Sequence, residues 1–282
     1  MVQTGRTAPA LIRARALIMA GHPIAVTGIS ALTGALAAQA APHGFGPVLT
    51  APAMLAGQLS VGWSNDASGA PRDAAAGRTD KPIATGAISA RAVWIAAFAA
   101  LLAALAMSLA IGVATAIVLA VIVGANWTYN LVLKSTPADG LILVPAFGLI
   151  PAYAASTLPG HPAPTWYATA GAALLGVGGH FATVLPDLTA DRVTGVKGMA
   201  QQITARWGIT AARGVVLVLV LSPSVLLLLA SSRPWFALGG LAAAIPLAVI
   251  ATRGRGKVPL WAVIGVGAVD TVIFAVGGCS LT

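Results

Sequence analysis

The chain has 282 residues, 58% of them hydrophobic and only 8% charged, with a net charge of +9. Soluble domains carry about 25% charged residues, so a water-soluble globular protein is excluded and the bilayer becomes the main solvent. The one cysteine, Cys279, excludes an intrachain disulfide and a cysteine-based metal site.

Residues 1–20 precede the apolar part of the chain and are expected to form a flexible cytoplasmic tail of a single integral membrane domain, residues 1–282. Nine apolar segments follow, at 22–40, 47–66, 90–108, 110–127, 140–157, 166–186, 210–230, 234–251 and 258–278. Each is close to the ~20 residues of a spanning helix. The third and fourth are almost continuous, and are divided near Ser108–Gly112 because ~38 apolar residues overrun one ~30 Å hydrocarbon core. "ALAAQAAP", Ala35 to Pro42, resembles a signal-peptidase site. The leader before it is long and eight more apolar segments follow, so it is expected to remain a membrane helix. Abundant Ala and Gly suit closely packed helices. The alternating short segments of a barrel are not seen. The expected fold is an all-α polytopic bundle of nine transmembrane helices.

Fifteen of the sixteen basic residues fall before the first segment or in the even-to-odd loops, and only Arg233 falls on the other side. By the positive-inside rule those loops and the N-terminus are cytoplasmic. The net charge follows from topology and calls for no nucleic-acid partner. Arg-rich, Ala- and Gly-rich usage suggests a bacterial cell membrane as the location.

The acidic residues are more informative. There is no Glu and only seven Asp. Asp66, Asp73 and Asp80 follow the second segment, and Asp187 and Asp191 follow the sixth. Acidic residues contribute little to topological sorting, so their clustering asks for another cause. Asp187 and Asp191 are spaced i, i+4 and would share a helix face; Asp66 and Asp73, at i, i+7, would do so if the helix continues. Four segments separate the two clusters, which suggests two like halves of four helices plus a ninth. Mg²⁺ is held by one or two carboxylates plus substrate phosphates, with basic residues taking the remaining oxygens. Carboxylates and cations at a membrane surface, backed by apolar helices, point to a polyprenyl diphosphate: anionic head at the loops, isoprenoid tail in the bundle. The bland alternative is a pair of solvated loops whose charges balance.

At these residues the chain resembles the UbiA superfamily of intramembrane prenyltransferases, whose first motif reads NDxxDxxxD and whose second reads DxxxD followed by Gly. In "WSNDASGAPRDAAAGRTDKP", Asn65, Asp66, Asp73, Arg78, Thr79, Lys81 and Pro82 match the first. Asp187, Asp191 and Gly195 match the second, and "YNLVLKST", Tyr129 to Thr136, resembles the pattern after the fourth helix. One position departs: Gly69 stands in place of the middle aspartate, with Pro71 close behind, so the helix is expected to stop at Gly69 and restart at Pro71.

The resemblance implies that Asp66, Asp73, Asp187 and Asp191 are both metal ligands and catalytic residues, holding Mg²⁺ on the diphosphate. Arg78, Lys81, Lys134, Arg192 and Lys197 become candidates for its outer oxygens, and Asn65 for a phosphate or a ligand. Trp63, Tyr129 and Asn130 are candidates to line the substrate, with Trp127 as a further aromatic wall. Aromatic faces stabilise a cation, although an interfacial belt also explains them. His180, seven residues before Asp187, is a candidate proton acceptor. Asp270, deep in the ninth segment, is not assigned to the site. Loss of diphosphate leaves an allylic cation, trapped by an aromatic or other small-molecule acceptor in a prenyltransferase. In a terpene cyclase it is trapped by the chain's own double bond. A transporter, the third class, tends to place its binding groups near the midplane, unlike the one-sided charges here.

Overall fold

The computed structural model describes residues 10–40, 45–188 and 195–282. All of its regular elements are helical. In chain order they are α1 Ala10–Ala20, α2 Pro23–Ala40, α3 Phe45–Ala75, α4 Ala90–Ile111, α5 Val113–Thr128, α6 Asp139–Gly148, α7 Ile150–Ala155, α8 Trp166–Val184, α9 Met199–Ala230, α10 Pro234–Arg253 and α11 Val258–Val276.

The expected apolar segments fall on helices, though not one to one. Seven described helices, or helix runs, are long and apolar enough to cross a membrane. The segment expected at 47–66 runs on as the 31-residue α3, and the one at 140–157 is divided into α6 and α7 at Leu149. The split near Ser108–Gly112 is also found, with Gly112 capping both α4 and α5.

Packing follows the small residues. On α4, Val93, Ala97, Ala104 and Ser108 are buried, whereas Ile95, Phe98, Leu102 and Leu109 are exposed on the opposite stripe. Apolar side chains gain nothing from hiding in one another rather than in lipid tails, so small residues that allow close contact decide which face turns inward. One core joins α3, α4, α5 and α7 around Met54, Leu119, Ile122 and Tyr153. Another joins α8 to α11 around Phe181, Val216, Val220 and Val266. Helix α11 packs back on α2 and closes the bundle.

Three elements differ from expectation. Residues 10–20, expected to be flexible, form α1, which buries Ala16 and Ala20. Trp63 of α3 donates its indole N–H to the Leu17 carbonyl at 2.8 Å, tying the two together. A Cβ at Gly62 would stand 2.5 Å from the Gly21 carbonyl oxygen, so only glycine lets the α1–α2 corner rest on α3. Helix α3 does not stop at Gly69: it is continuous through Pro71 to Ala75. A proline inside a helix forfeits one hydrogen bond, but the neighbouring turns hold the axis. Helix α9 starts at Met199, well before the expected 210, and kinks at Gly208 (φ 82°).

Candidate active site

The end of α3 carries the first acidic segment. Because the helix is unbroken, Asp66 and Asp73 lie two turns apart on one face. Gly77, at φ 64°, closes the helix, and the Arg78 N–H returns to the Asp73 carbonyl at 3.0 Å. This left-handed cap turns the chain back over the helix end and places Arg78 there.

Asp66 is buried, at 3% exposure, and its Oδ1 accepts from Lys81 Nζ at 2.6 Å and from His22 Nε2 at 2.9 Å. His22 sits at the α1–α2 corner with φ 53°, a left-handed conformation that His tolerates better than most residues. Asn65 Nδ2 is 3.2 Å from the same His22 nitrogen. A ring nitrogen that donates to Asp66 cannot also accept from Asn65, and the shorter contact fixes the proton toward Asp66. Asn65 instead uses its Oδ1 to accept from Lys134 Nζ at 2.5 Å.

Lys134 arrives by a local distortion. After α5 the chain makes a π-helical turn, Tyr129–Leu133, and the Lys134 N–H bonds back to the Tyr129 carbonyl. Asn130, on that turn, donates to the Val61 carbonyl and to Ser64 Oγ, pinning it to α3. Burial, with Arg72 and Lys81 nearby, pulls the Lys134 ammonium down to about 8.

Arg78 is bidentate to Asp80, at 2.7 and 2.8 Å, and this pair pulls the exposed Asp80 carboxyl down to about 2. The guanidinium is held in its charged form first by Asp80, and in addition by Asp187 and Asp73. One cation therefore lies in the field of a carboxylate from each acidic segment. Asp187 ends a short 3₁₀ turn after α8 and is exposed. Lys197 is exposed, near the start of α9. Asp191 and Arg192 lie outside the described residues.

The family profile of the UbiA prenyltransferase family matches residues 27–264. The chain belongs to that family. Its fold is that of solved UbiA homologues. An apo homologue from Aeropyrum pernix K1 has a TM-score of 0.70 at 19% identity, over 90% of this chain and 98% of the other. One from Archaeoglobus fulgidus, bound to DMAPP and Mg²⁺, has a TM-score of 0.68 at 18% identity, over 93% and 97%. A digeranylgeranylglyceryl phosphate synthase structure has a TM-score of 0.66 at 14% identity, over 94% and 98%. No curated protein sequence matches the chain.

Within this UbiA fold, other expected residues have structural partners. Trp127 donates to Ser60 Oγ and packs edge-on against Trp94 and Phe98. Tyr129 and His180 meet edge to face, with centroids 5.1 Å apart, and His180 Nε2 lies 3.5 Å from Asp139 Oδ2. Asp139 had no role in the sequence reading; its Oδ1 accepts from the Gly140 and Met199 N–H groups, joining α6 to the start of α9. Asp270 accepts from Ser224 at 2.5 Å between α11 and α9, among groups distinct from those around Asp66. His22 was also missed. Its only sequence signal was a polar residue at the edge of the first apolar segment.

Proposed function

We propose that the chain is a Mg²⁺-dependent intramembrane prenyltransferase that ionises a polyprenyl diphosphate and passes the prenyl group to a small-molecule acceptor. The observation that carries this reading is the unbroken α3, which sets Asp66 and Asp73 two turns apart on one face, with Lys81 on Asp66 and Lys134 on the neighbouring Asn65. Homologues of the same fold are described bound to DMAPP and Mg²⁺, and to GPP and Mg²⁺.

The donor set fits such an ion. Asp66, Asp73 and Asp187 offer hard oxygens, with Asp191 of the second motif as a fourth expected ligand. Among the described residues no three His, Cys or Asp side chains gather into an all-protein cage. A cation that keeps waters and takes substrate phosphates as ligands suits that arrangement. When bound, Mg²⁺ supplies charge neutralisation that makes diphosphate a better leaving group.

The chain's own residues do the rest. Both protein bonds to Asp66 land on Oδ1. Lys81 and His22 thereby hold the carboxylate in one orientation. Lys134, Arg78 and Lys197, with Lys81 and Arg192 of the same expected set, are the cations available to outer phosphate oxygens. The allylic C1–O bond breaks with its electron pair leaving on diphosphate. The acceptor then forms the new bond to C1 and loses a proton. Tyr129 and His180 offer an aromatic ring, whose face can stabilise a cation, and an imidazole near the α5–α8 side of this end, where a cation and a departing proton need partners.

The test is direct. The purified protein is incubated in detergent or vesicles with Mg²⁺ and geranyl, farnesyl or geranylgeranyl diphosphate, with and without a panel of aromatic acceptors. Release of diphosphate that depends on both Mg²⁺ and acceptor, with a prenylated product, is the expected result. Acceptor-free release with cyclic hydrocarbons would replace transfer by cyclisation, and no release from a folded protein would end the reading.

A further inference from the structure

Helix α1 is too short to cross a membrane: its 11 residues rise about 16 Å, against a hydrocarbon core of about 30 Å. Nor does it extend the span of α2, because the chain turns between them at Gly21 and His22, the latter at φ 53°. One side of α1 rests on the bundle. Ala20 joins Ala67 and Val93 in a small core, with Leu17 and Trp63 packed against it. The other side is uncovered among the described residues. Leu11, Ile12, Ile18 and Met19 are all exposed, Leu11 at 85%. Leu11 with Ile18, and Ile12 with Met19, are each two turns apart, so the four form one face. Arg15 falls in the middle of that face, four residues after Leu11 and three before Ile18. Arg13 is exposed as well, and neither arginine makes an ion pair among the described residues.

Four large apolar side chains around a cation suit neither water nor a second copy of the chain. In water their hydration is unfavourable, and two copies meeting on this face would set Arg15 against Arg15. The face suits a bilayer boundary, where aliphatic groups sink among acyl chains while guanidinium groups snorkel to phosphates. An anionic leaflet adds an attraction that a neutral one lacks. The same helix is joined to the acidic end of the bundle. Trp63, three residues before Asp66, donates to the Leu17 carbonyl, and Gly21 lies against Gly62. The next residue, His22, reaches Asp66 Oδ1 at 2.9 Å. A helix of this length is marginal alone, so a partner on its outer face steadies the corner that carries His22.

We propose that α1 lies in the headgroup layer at the acidic end of the bundle and takes anionic phospholipid on Arg13 and Arg15, and that this seating steadies His22 on Asp66. The docking stands by itself. The coupling to Asp66 rests on the prenyl-diphosphate reading, because turnover is its readout.

The full-length protein is placed in vesicles of equal parts phosphatidylglycerol and phosphatidylcholine, with acyl bromines on one lipid or the other. A fluorophore sits on Ala14→Cys, an exposed position of α1, in a Cys279→Ser background that has no other thiol. Quenching by brominated phosphatidylglycerol is expected to report an occupancy at least about five-fold above that of phosphatidylcholine, the worth of one arginine near an anionic surface. The double variant Arg13→Gln/Arg15→Gln, shown to be folded by thermal unfolding, is expected to lose that preference. Equal quenching by the two lipids, no quenching by either, or a preference that survives in the double variant overturns the docking. In the second arm, diphosphate release at saturating Mg²⁺ is compared between the mixed vesicles and phosphatidylcholine alone. Wild type is expected to be faster in the mixed vesicles, and the double variant to show the slower rate in both. Release by wild type at one rate in both membranes overturns the coupling. No release in either membrane ends the prenyl reading, and the quenching still decides the docking, so the two fail separately.

Discussion

Asp66 is a carboxylate enclosed by its own partners, at 3% exposure and bonded to Lys81 and His22. Asp66→Ala strands Lys81 at the rim of a buried site, which is expected to cost about 1–3 kcal/mol, less than a fully buried pair because Lys81 keeps some water. Turnover is expected to vanish while the bundle still unfolds cooperatively; a variant that releases diphosphate at the wild-type rate would remove Asp66 from the chemistry. Lys134 titrates in an accessible range. Its folded value of about 8 lies below the ordinary 10.5, so the fold disfavours the charged form. Between those values the unfolded chain binds more protons, and this group's contribution to stability rises as pH rises. Anion binding has the opposite sign, because it needs the ammonium. Affinity for the prenyl diphosphate is therefore expected to fall as pH climbs past about 8, and Lys134→Arg, which stays charged, to flatten that slope. A KM for the diphosphate that is level from about pH 7 to 9.5 in wild type would show that Lys134 does not hold phosphate. Asn65, Asp66, Asp73, Arg78 and Lys81 were legible as candidates because they are neighbours in sequence and scarce in composition. His22 was not, since its place on Asp66 depends on a corner 44 residues away.

At the scale of elements, Asp139 ties α6 to the start of α9. Its carboxylate accepts the Met199 N–H at 2.8 Å and the Gly140 N–H at 2.7 Å, while His180 stands 3.5 Å away. A carboxylate on a helix's free N–H groups satisfies orphan donors that have no other partner. Asp139→Ala is expected to cost about 1–3 kcal/mol, the penalty for leaving such donors unmet, read as a lower Tm in detergent. Asp139→Asn, which keeps an acceptor oxygen, should recover most of it. An unchanged Tm in the alanine variant would mean that α6 does not anchor α9. The all-helical bundle was readable because composition in a bilayer maps onto helices, although seven described helices, not nine, are long and apolar enough to span. The elements that were not readable share a cause: they depend on contacts between segments. Helix α1 is ordered by Trp63 and by the missing Cβ at Gly62. The π turn at Tyr129–Leu133 is pinned by Asn130 to α3. Pro71, read as a break, is carried within α3 because one lost bond does not outweigh its neighbouring turns.

The whole molecule is polarised. Asp66, Lys81, Lys134 and Asp139 all gather at one end of the bundle, whereas Arg233 sits at the other, its N–H on the Gly277 carbonyl. Between the ends, α4 and α5 present Ile95, Phe98, Leu102, Val113 and Ile117 outward, a stripe that lipid can wet and water cannot. A bilayer that sorts basic residues to its inner face would set the acidic segments in the cytoplasm. The chain's single cysteine makes this measurable, since Cys279→Ser leaves a background free of thiols. Into it go Thr79→Cys, in the exposed loop after α3, and Arg233→Cys, exposed between α9 and α10. In intact cells a membrane-impermeant maleimide is expected to label position 233 and to reach position 79 only after lysis. Labelling at 79 from outside, with 233 protected, would invert the bundle and overturn the cytoplasmic placement of the acidic segments.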